Sequence, residues 1–314
     1  VGSLMRSNTN RIHTMQKMLL TRRGRFGCCL YGDPVMPPLV LLMGLGMNAA
    51  SWPEPFLTRL VRKGLYVIAP DNRDSGSSML GTESVSKTRM FASIAKYIAG
   101  GSVHAEYRLE DMAADTESIL DELGVERAHI AGISMGGMIA QVFACRAPHR
   151  TVSLTSISSA TGNVITGVGN PVAIRSALQP APTTKDRLAW RNYLRNVMTS
   201  IGTKNEIYSD EALDKIIDVE FEYEVPPQAK MRQLMAILAS GDRREQLRQL
   251  TVPTLVIHGT ADPLLPLRAG KETAECIEGA RFMPMEGMGH DLAASRQQEI
   301  ADAIAAHCYG TTLR

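Results

Sequence analysis

Short apolar runs alternate with longer stretches of helical period along most of this chain. The runs Pro38 to Met43, Gly64 to Pro70, Arg127 to Ala131, Val152 to Ile157, Thr254 to His258 and Arg281 to Met285 have the length and near-continuous apolar character of strands covered on both faces. Between them, amphipathic spacing predicts helices over Pro55 to Lys63, Thr88 to Ala99, Arg108 to Gly124 and Gly137 to Cys145, with a last one over Gln297 to His307. The third is the clearest: Leu109, Met112, Ala113, Ile119, Leu120 and Leu123 share one side of it. Met18 to Tyr31 alternates loosely around Arg23-Gly24-Arg25, which predicts a two-stranded hairpin.

The rhythm breaks near Ser159. From there to Leu250 no strand pattern is visible, and charged helices are predicted over about 184–201, 210–222 and 227–240. Strands alternating with helices predict an α/β fold, a mostly parallel twisted sheet flanked by helices. The implied organisation is a core of residues 16–158 and 251–314, a helical cap at 159–250, and a flexible N-terminal segment at 1–15. In such sheets the reactive groups gather at the C-terminal ends of the strands, so the residues just after each apolar run carry the functional information.

Composition narrows the classes. The chain has 314 residues, 44% hydrophobic and 21% charged, with a net charge of +2, and it lacks the basic block that nucleic-acid binders carry. No apolar run approaches transmembrane length. The stretch Met18-Leu19-Leu20 is too short for a signal-peptide core. Cys28, Cys29, Cys145, Cys276 and Cys308 are odd in number and irregular in spacing, as expected for packed thiols in a reducing compartment rather than a disulfide framework or a metal site. A cytoplasmic protein acting on a small molecule, without metal or cofactor, is the expectation. Its oligomeric state is not encoded in any pattern.

The candidate chemistry centres on Gly132-Ile133-Ser134-Met135-Gly136. This Gly-x-Ser-x-Gly stretch comes after a predicted strand and opens a predicted helix, the context in which such a turn projects a serine hydroxyl from the sheet. A serine hydroxyl needs a base. Of seven histidines, His290 stands apart, in the glycine-rich loop Glu286-Gly287-Met288-Gly289-His290-Asp291 directly after the last strand. His13, His104, His149 and His307 lie away from strand ends, His129 points into or across the sheet, and His258 reads as packing. An imidazole base needs an acid to hold its tautomer. Asp262 lies just beyond the strand Thr254 to His258. Asp291, on what reads as an exposed loop, and Asp210, Asp214 and Asp218, on a cap helix, are weaker candidates. The oxyanion of acyl transfer calls for two backbone N–H groups. Met135 supplies one. Leu45, in Met43-Gly44-Leu45-Gly46, is nominated for the other, with Gly44 or Gly46 as alternatives.

The stretches LLMGLG, VIAPDNRDSGSS, YRLEDMAADTESILDELGV, AHIAGISMGGMIAQ, PTLVIHGTADPLLP and EGMGHDL together resemble the α/β-hydrolase fold superfamily, and within it the serine esterase branch that includes aclacinomycin methylesterase. The resemblance implies Ser134 as nucleophile, His290 as base, Asp262 as acid, and Leu45 and Met135 as oxyanion donors. It departs where many relatives carry His-Gly and this chain has Met43-Gly44, and in a longer connection at 79–106. The expected activity is hydrolysis of small to medium, moderately hydrophobic carboxylic esters through an acyl-enzyme. The same triad on a C–C bond, a lactone or a peracid is the alternative, and a non-catalytic receptor a more distant one. Gly44, Gly46, Met47, Trp190, Tyr193, Met235 and Met288 are candidate substrate contacts, with most cap aromatics and methionines also readable as anchors. Activity should fall as His290 is protonated, at about pH 6 to 7.

Overall fold

Each apolar run becomes one strand of a single sheet in the computed structural model, which describes residues 14–312. β1 (Thr14–Thr21) and β2 (Gly24–Tyr31) form the hairpin, paired antiparallel from Thr14 opposite Tyr31 to Thr21 opposite Gly24. The chain continues through β3 (Pro38–Leu42), α1 (Glu54–Arg62), β4 (Tyr66–Pro70), α2 (Lys87–Ile98), α3 (Leu109–Glu122), β5 (Ala128–Ile133), α4 (Met135–Arg146) and β6 (Thr151–Ile157). Five helices then intervene, α5 (Val164–Gly167), α6 (Pro171–Leu178), α7 (Arg187–Ile201), α8 (Asp210–Tyr223) and α9 (Pro227–Ser240), followed by the short α10 (Arg244–Arg248). β7 (Thr254–Gly259), α11 (Leu267–Cys276), β8 (Arg281–Met285) and α12 (Gln297–Thr312) complete it.

The strand order is β1-β2-β4-β3-β5-β6-β7-β8. β2 runs antiparallel to β4, and from β4 to β8 every pairing is parallel. Successive strand residues alternate between two cores, as a period of two requires. Val40 and Leu42 join the cluster under α3, α4 and α11, whereas Leu39 and Leu41 join the one under α1 and α12. The parallel register sets Leu42 beside Gly132, Ile133 beside Ile157 and Gly259 beside Met285. The residues after β3, β5, β7 and β8 therefore open on one edge of the sheet.

One expectation requires correction, and one helix was not foreseen. Residues 1–13 of the N-terminal segment lie outside the described residues, but Thr14 and Met15 pair with Tyr31 and Leu30 as the start of β1. α11 was not among the helices predicted; its buried stripe, Ala269, Gly270, Thr273 and Cys276, is made of small residues. Gly270 is required there: a Cβ would stand 2.4 Å from Nδ1 of His258.

The insertion leaves and re-enters the core at adjacent points. The Arg243 N–H donates to the carbonyl of Thr161, its guanidinium to that of Ala160 at 2.7 Å, and a Cβ on Gly162 would stand 1.9 Å from the carbonyl oxygen of Gly241. The long connection at 79–106 buttresses α9 from outside: Val85, Met90 and Val103 pack against Met235, Leu238 and Ala239. Beside them, Arg232 of α9 donates to the fully buried Asp74 carboxylate at 2.6 Å. Asp74 also accepts from Tyr107 and from the N–H groups of Leu80 and Gly81. Burial alone would raise its carboxyl pKa, but these partners, with Arg232 foremost, hold it below the ordinary value. Cys28, Cys29, Cys145 and Cys276 carry free thiols. Among the described residues no helix is long and apolar enough to cross a membrane.

Removing one partner of a buried ion pair leaves the other charge desolvated and alone. Arg232→Ala should therefore lower unfolding stability by about 3–5 kcal/mol, read as a lower midpoint in urea denaturation.

Candidate active site

β5 ends in a turn that only its glycines permit. Ser134 is held at φ 56° and ψ −120°, a conformation that costs an L-residue about 1–3 kcal/mol. A Cβ at Gly132 would stand 2.1 Å from the carbonyl oxygen of Gly136, and one at Gly136 would stand 2.0 Å from that of Leu42. The turn is held from the sheet side by Ser134 N–H donating to the Ile157 carbonyl, and from beyond β6 by the Ser159 hydroxyl donating to the Ser134 carbonyl at 2.8 Å. α4 starts at Met135, so its N-terminal amides face the serine side chain.

The structure brings Ser134, His290 and Asp262 together from three strand ends. His290 Nε2 lies 2.9 Å from Ser134 Oγ, and His290 Nδ1 lies 2.7 Å from Asp262 Oδ2. Asp262 Oδ1 accepts the N–H groups of Leu264 and Leu265, both at 2.9 Å, so both oxygens are engaged. With Nδ1 donating to the carboxylate, Nε2 is left as the acceptor facing the serine hydroxyl. Burial opposes a charged His290 ring, but the charge and hydrogen bond of Asp262, with a further contribution from Asp291, outweigh it and raise the imidazole pKa above the ordinary 6.5.

His258, read as packing, does pack against Gly270, and its Nε2 also lies 2.7 Å from the carbonyl oxygen of Leu265, the far side of the Asp262 turn. Its Nε2 stands 3.7 Å from Asp262, and burial keeps its pKa low. His129 is buried in the sheet with Nδ1 2.8 Å from Ser153 Oγ, and burial, ahead of neighbouring positive charge, lowers its pKa to about 4. His104 and His149 are exposed, His307 is buried against the Pro253 carbonyl, and His13 lies outside the described residues. Asp210, Asp214 and Asp218 pair with arginines of α7. Asp291 is a correction: it is buried rather than exposed, and it accepts from Thr203 and Tyr208 of the insertion.

Gly44-Leu45-Gly46-Met47 is a β-turn closed by Met47 N–H donating to the Gly44 carbonyl, with Gly46 at φ 74° where the turn demands it. A Cβ at Gly44 would stand 3.4 Å from that of Ser134, so this turn overhangs the serine. Gly46 is removed as an oxyanion alternative because its N–H already donates to Gln233 Oε1 at 2.8 Å. The N–H groups of Leu45 and Met135 meet no acceptor among the described residues.

The other nominated contacts sit elsewhere. Met288 is fully buried in the core with Met285 and Trp52, and Met47 packs on the same cluster. Met235 faces α2. Trp190 and Tyr193 pack with Leu194, Leu213 and Ile217 in the insertion's own core, where the Trp190 indole N–H donates to Thr184. These side chains have the apolar character of pocket walls, but packing between helices consumes it. Conversely, Gln233, wedged between Gly46 and the Arg73 carbonyl, and Lys230, whose stem lies across Gly46, carried no signal: polar residues on a charged helix read as solvent-facing.

The sequence model described as alpha/beta hydrolase fold matches residues 37–294. The chain is 28% identical over 307 residues to the rhodomycin D methylesterase of Streptomyces peucetius, and 28% identical over 309 residues to that of Streptomyces sp. strain C5. Each alignment covers 90% of this chain and 94% of the relative. The enol-lactonase from Burkholderia xenovorans superposes with a TM-score of 0.67 at 20% identity, covering 95% of this chain and all of that one, which is a likeness of fold.

If Asp262 raises the His290 pKa, its removal must reverse the sign. Asp262→Asn should shift the His290 imidazole titration, followed by proton NMR, to lower pH than in the wild-type protein.

Proposed function

The chain belongs to the alpha/beta hydrolase fold family, and from that premise we propose that it is a serine carboxylesterase that cleaves small to medium, moderately hydrophobic esters through an acyl-enzyme. The observation that carries this reading is the hydrogen-bonded relay Ser134–His290–Asp262, drawn from three strand ends, with distances of 2.9 and 2.7 Å. The methylesterase names of the two curated relatives support a methyl ester as the first substrate to try.

In this reading Ser134 Oγ attacks the ester carbonyl carbon as His290 Nε2 takes its proton. The C=O electron pair moves onto oxygen, which accepts from the N–H groups of Met135 and Leu45. Each such donor is worth about 3 kcal/mol of transition-state stabilisation. The imidazolium, stabilised by Asp262, then protonates the departing alcohol as the C–O bond breaks. Water, deprotonated by the same nitrogen, attacks the acyl-enzyme and releases the acid and the free serine. Serine and imidazole supply both nucleophile and proton transfer, so no cofactor enters the scheme. The cap's share in selectivity falls to residues over the Leu45 turn, such as Lys230 and Gln233, rather than to the packed Trp190 and Met235.

A panel of methyl esters, short p-nitrophenyl esters, a lactone and a vinylogous diketone tests the reaction class. Preferential turnover of the open-chain esters is expected, and preference for the lactone or diketone would move the same residues to a different bond. Ser134→Ala should lower kcat by at least about 10⁴-fold while leaving the circular-dichroism spectrum unchanged, and a fluorophosphonate should label Ser134 in the wild type only. The base must be neutral to act, and its pKa is raised. The acid limb of kcat/KM should therefore have its midpoint above pH 6.5, activity being lost as pH falls through it; a midpoint below the ordinary histidine value would contradict the His290–Asp262 pairing.

A further inference from the structure

The loop that delivers His290 has little intrinsic order. Residues 286–291 contain two glycines, one of them, Gly287, at φ 72°, and each backbone residue fixed in one conformation forgoes about 1–2 kcal/mol of entropy. Asp262 fixes the imidazole at Nδ1, but one hydrogen bond cannot fix the backbone that carries the ring.

The core holds the first half of the loop, where the Gly287 N–H donates to Thr260 Oγ1 at 2.8 Å and the Met288 carbonyl accepts the Ala261 N–H at 3.0 Å. The half that carries the ring, Gly289 to Asp291, is held from the insertion. The His290 N–H donates to the carbonyl of Ile201, the last residue of α7, at 2.7 Å. The Gly289 N–H donates to Thr203 Oγ1 at 3.0 Å. Gly289 and Gly202 meet backbone to backbone: a Cβ on Gly289 would stand 2.3 Å from the carbonyl carbon of Gly202. The buried Asp291 carboxylate locks the join. Its Oδ1 accepts both the N–H of Thr203, at 3.0 Å, and its hydroxyl, at 2.7 Å, and its Oδ2 accepts the Tyr208 hydroxyl. A carboxylate so buried is costly unless its oxygens are satisfied. Among the described residues it has no cationic partner within ion-pair distance, and one N–H and two hydroxyls satisfy it instead. Tyr208 is held protonated for this: burial first, and then the adjacent Asp291, push its pKa up.

We infer that Asp291, Thr203 and Tyr208 form a positioning clamp by which the insertion holds the His290 loop in register with Ser134. The inference rests on the reading of Ser134, His290 and Asp262 as the reacting groups. The clamp touches neither substrate nor reacting atoms. It acts chiefly by fixing where Nε2 stands, Asp291 also adding negative charge beside the ring, and an error of about 1 Å in such a group costs on the order of 10²-fold in rate. The insertion is thus part of the machinery that aligns the base, and not only a cover over it.

The test compares Thr203→Val, Tyr208→Phe, Asp291→Ala and the conservative Thr203→Ser on a methyl or p-nitrophenyl ester. Each of the first three should lower kcat by about 10- to 100-fold with KM within about twofold, and should slow fluorophosphonate labelling of Ser134 in parallel. Thr203→Ser, which keeps the hydroxyl and the N–H, should restore kcat to within about threefold of wild type. Thr203→Val and Tyr208→Phe each remove a single hydroxyl, and their urea midpoints separate a positioning effect from lost folding. Wild-type kcat and labelling rates in the first three variants would overturn the clamp, as would a Thr203→Ser variant as impaired as Thr203→Val. A wild-type protein that the fluorophosphonate does not label would overturn the esterase reading itself, and the clamp with it.

Discussion

A Cβ at Gly136 would stand 2.0 Å from the carbonyl oxygen of Leu42, and that want of space governs the rest of the site. Because the turn after β5 carries no side chain there, it lies directly against the end of β3. The Gly44–Met47 turn then projects over Ser134 instead of being pushed away from it. The same crowding, at Gly132, forces Ser134 to its positive φ. The strain is sustained by hydrogen bonds from both neighbours, the Ile157 carbonyl and the Ser159 hydroxyl. From this turn the Ser134 hydroxyl meets Nε2 of His290 at 2.9 Å.

Electrostatics then depend on how completely Asp262 is satisfied. Its Oδ1 takes two N–H groups of its own turn, which leaves Oδ2 aimed at His290. His258 closes the back of that turn through the Leu265 carbonyl, and Gly270 makes room for its ring. A helix of small residues beneath the sheet edge therefore has a share in orienting the imidazole, several contacts away from any reacting atom.

Three of the points that fasten the insertion to the core involve loops at the strand ends. Arg232 pairs with Asp74, Gln233 takes the Gly46 N–H, and Thr203 and Tyr208 bind Asp291. Two of these fall on the loops that would carry the oxyanion donor and the base. Such fastening favours a site of fixed geometry, because the insertion residues beside these loops are hydrogen-bonded to them.

The sheet and the candidate residues at its strand ends were legible in the order of amino acids alone. Continuous apolar runs such as Pro38 to Met43 can be covered only on both faces, and parallel strands open onto one common edge, so Ser134, Asp262 and His290 could be read as strand-end residues. The two glycines of the turn were legible from the motif itself, although only the need at Gly132 is local, against Gly136, whereas Gly136 is needed against Leu42, remote in sequence. Other features were settled only by folding, because they depend on contacts far apart in the chain. The removal of Gly46 as a donor required Gln233, 187 residues away. Asp291 read as an exposed loop residue because nothing in its neighbourhood reveals Thr203 and Tyr208. Trp190, Met235 and Met288 read equally as pocket walls or as anchors because an apolar side chain has the same appearance in sequence whether it faces a ligand or another helix. α11 went unpredicted because its buried stripe is small rather than strongly hydrophobic. Periodicity reports how an element meets its surroundings, and only the folded chain specifies which residues those surroundings are.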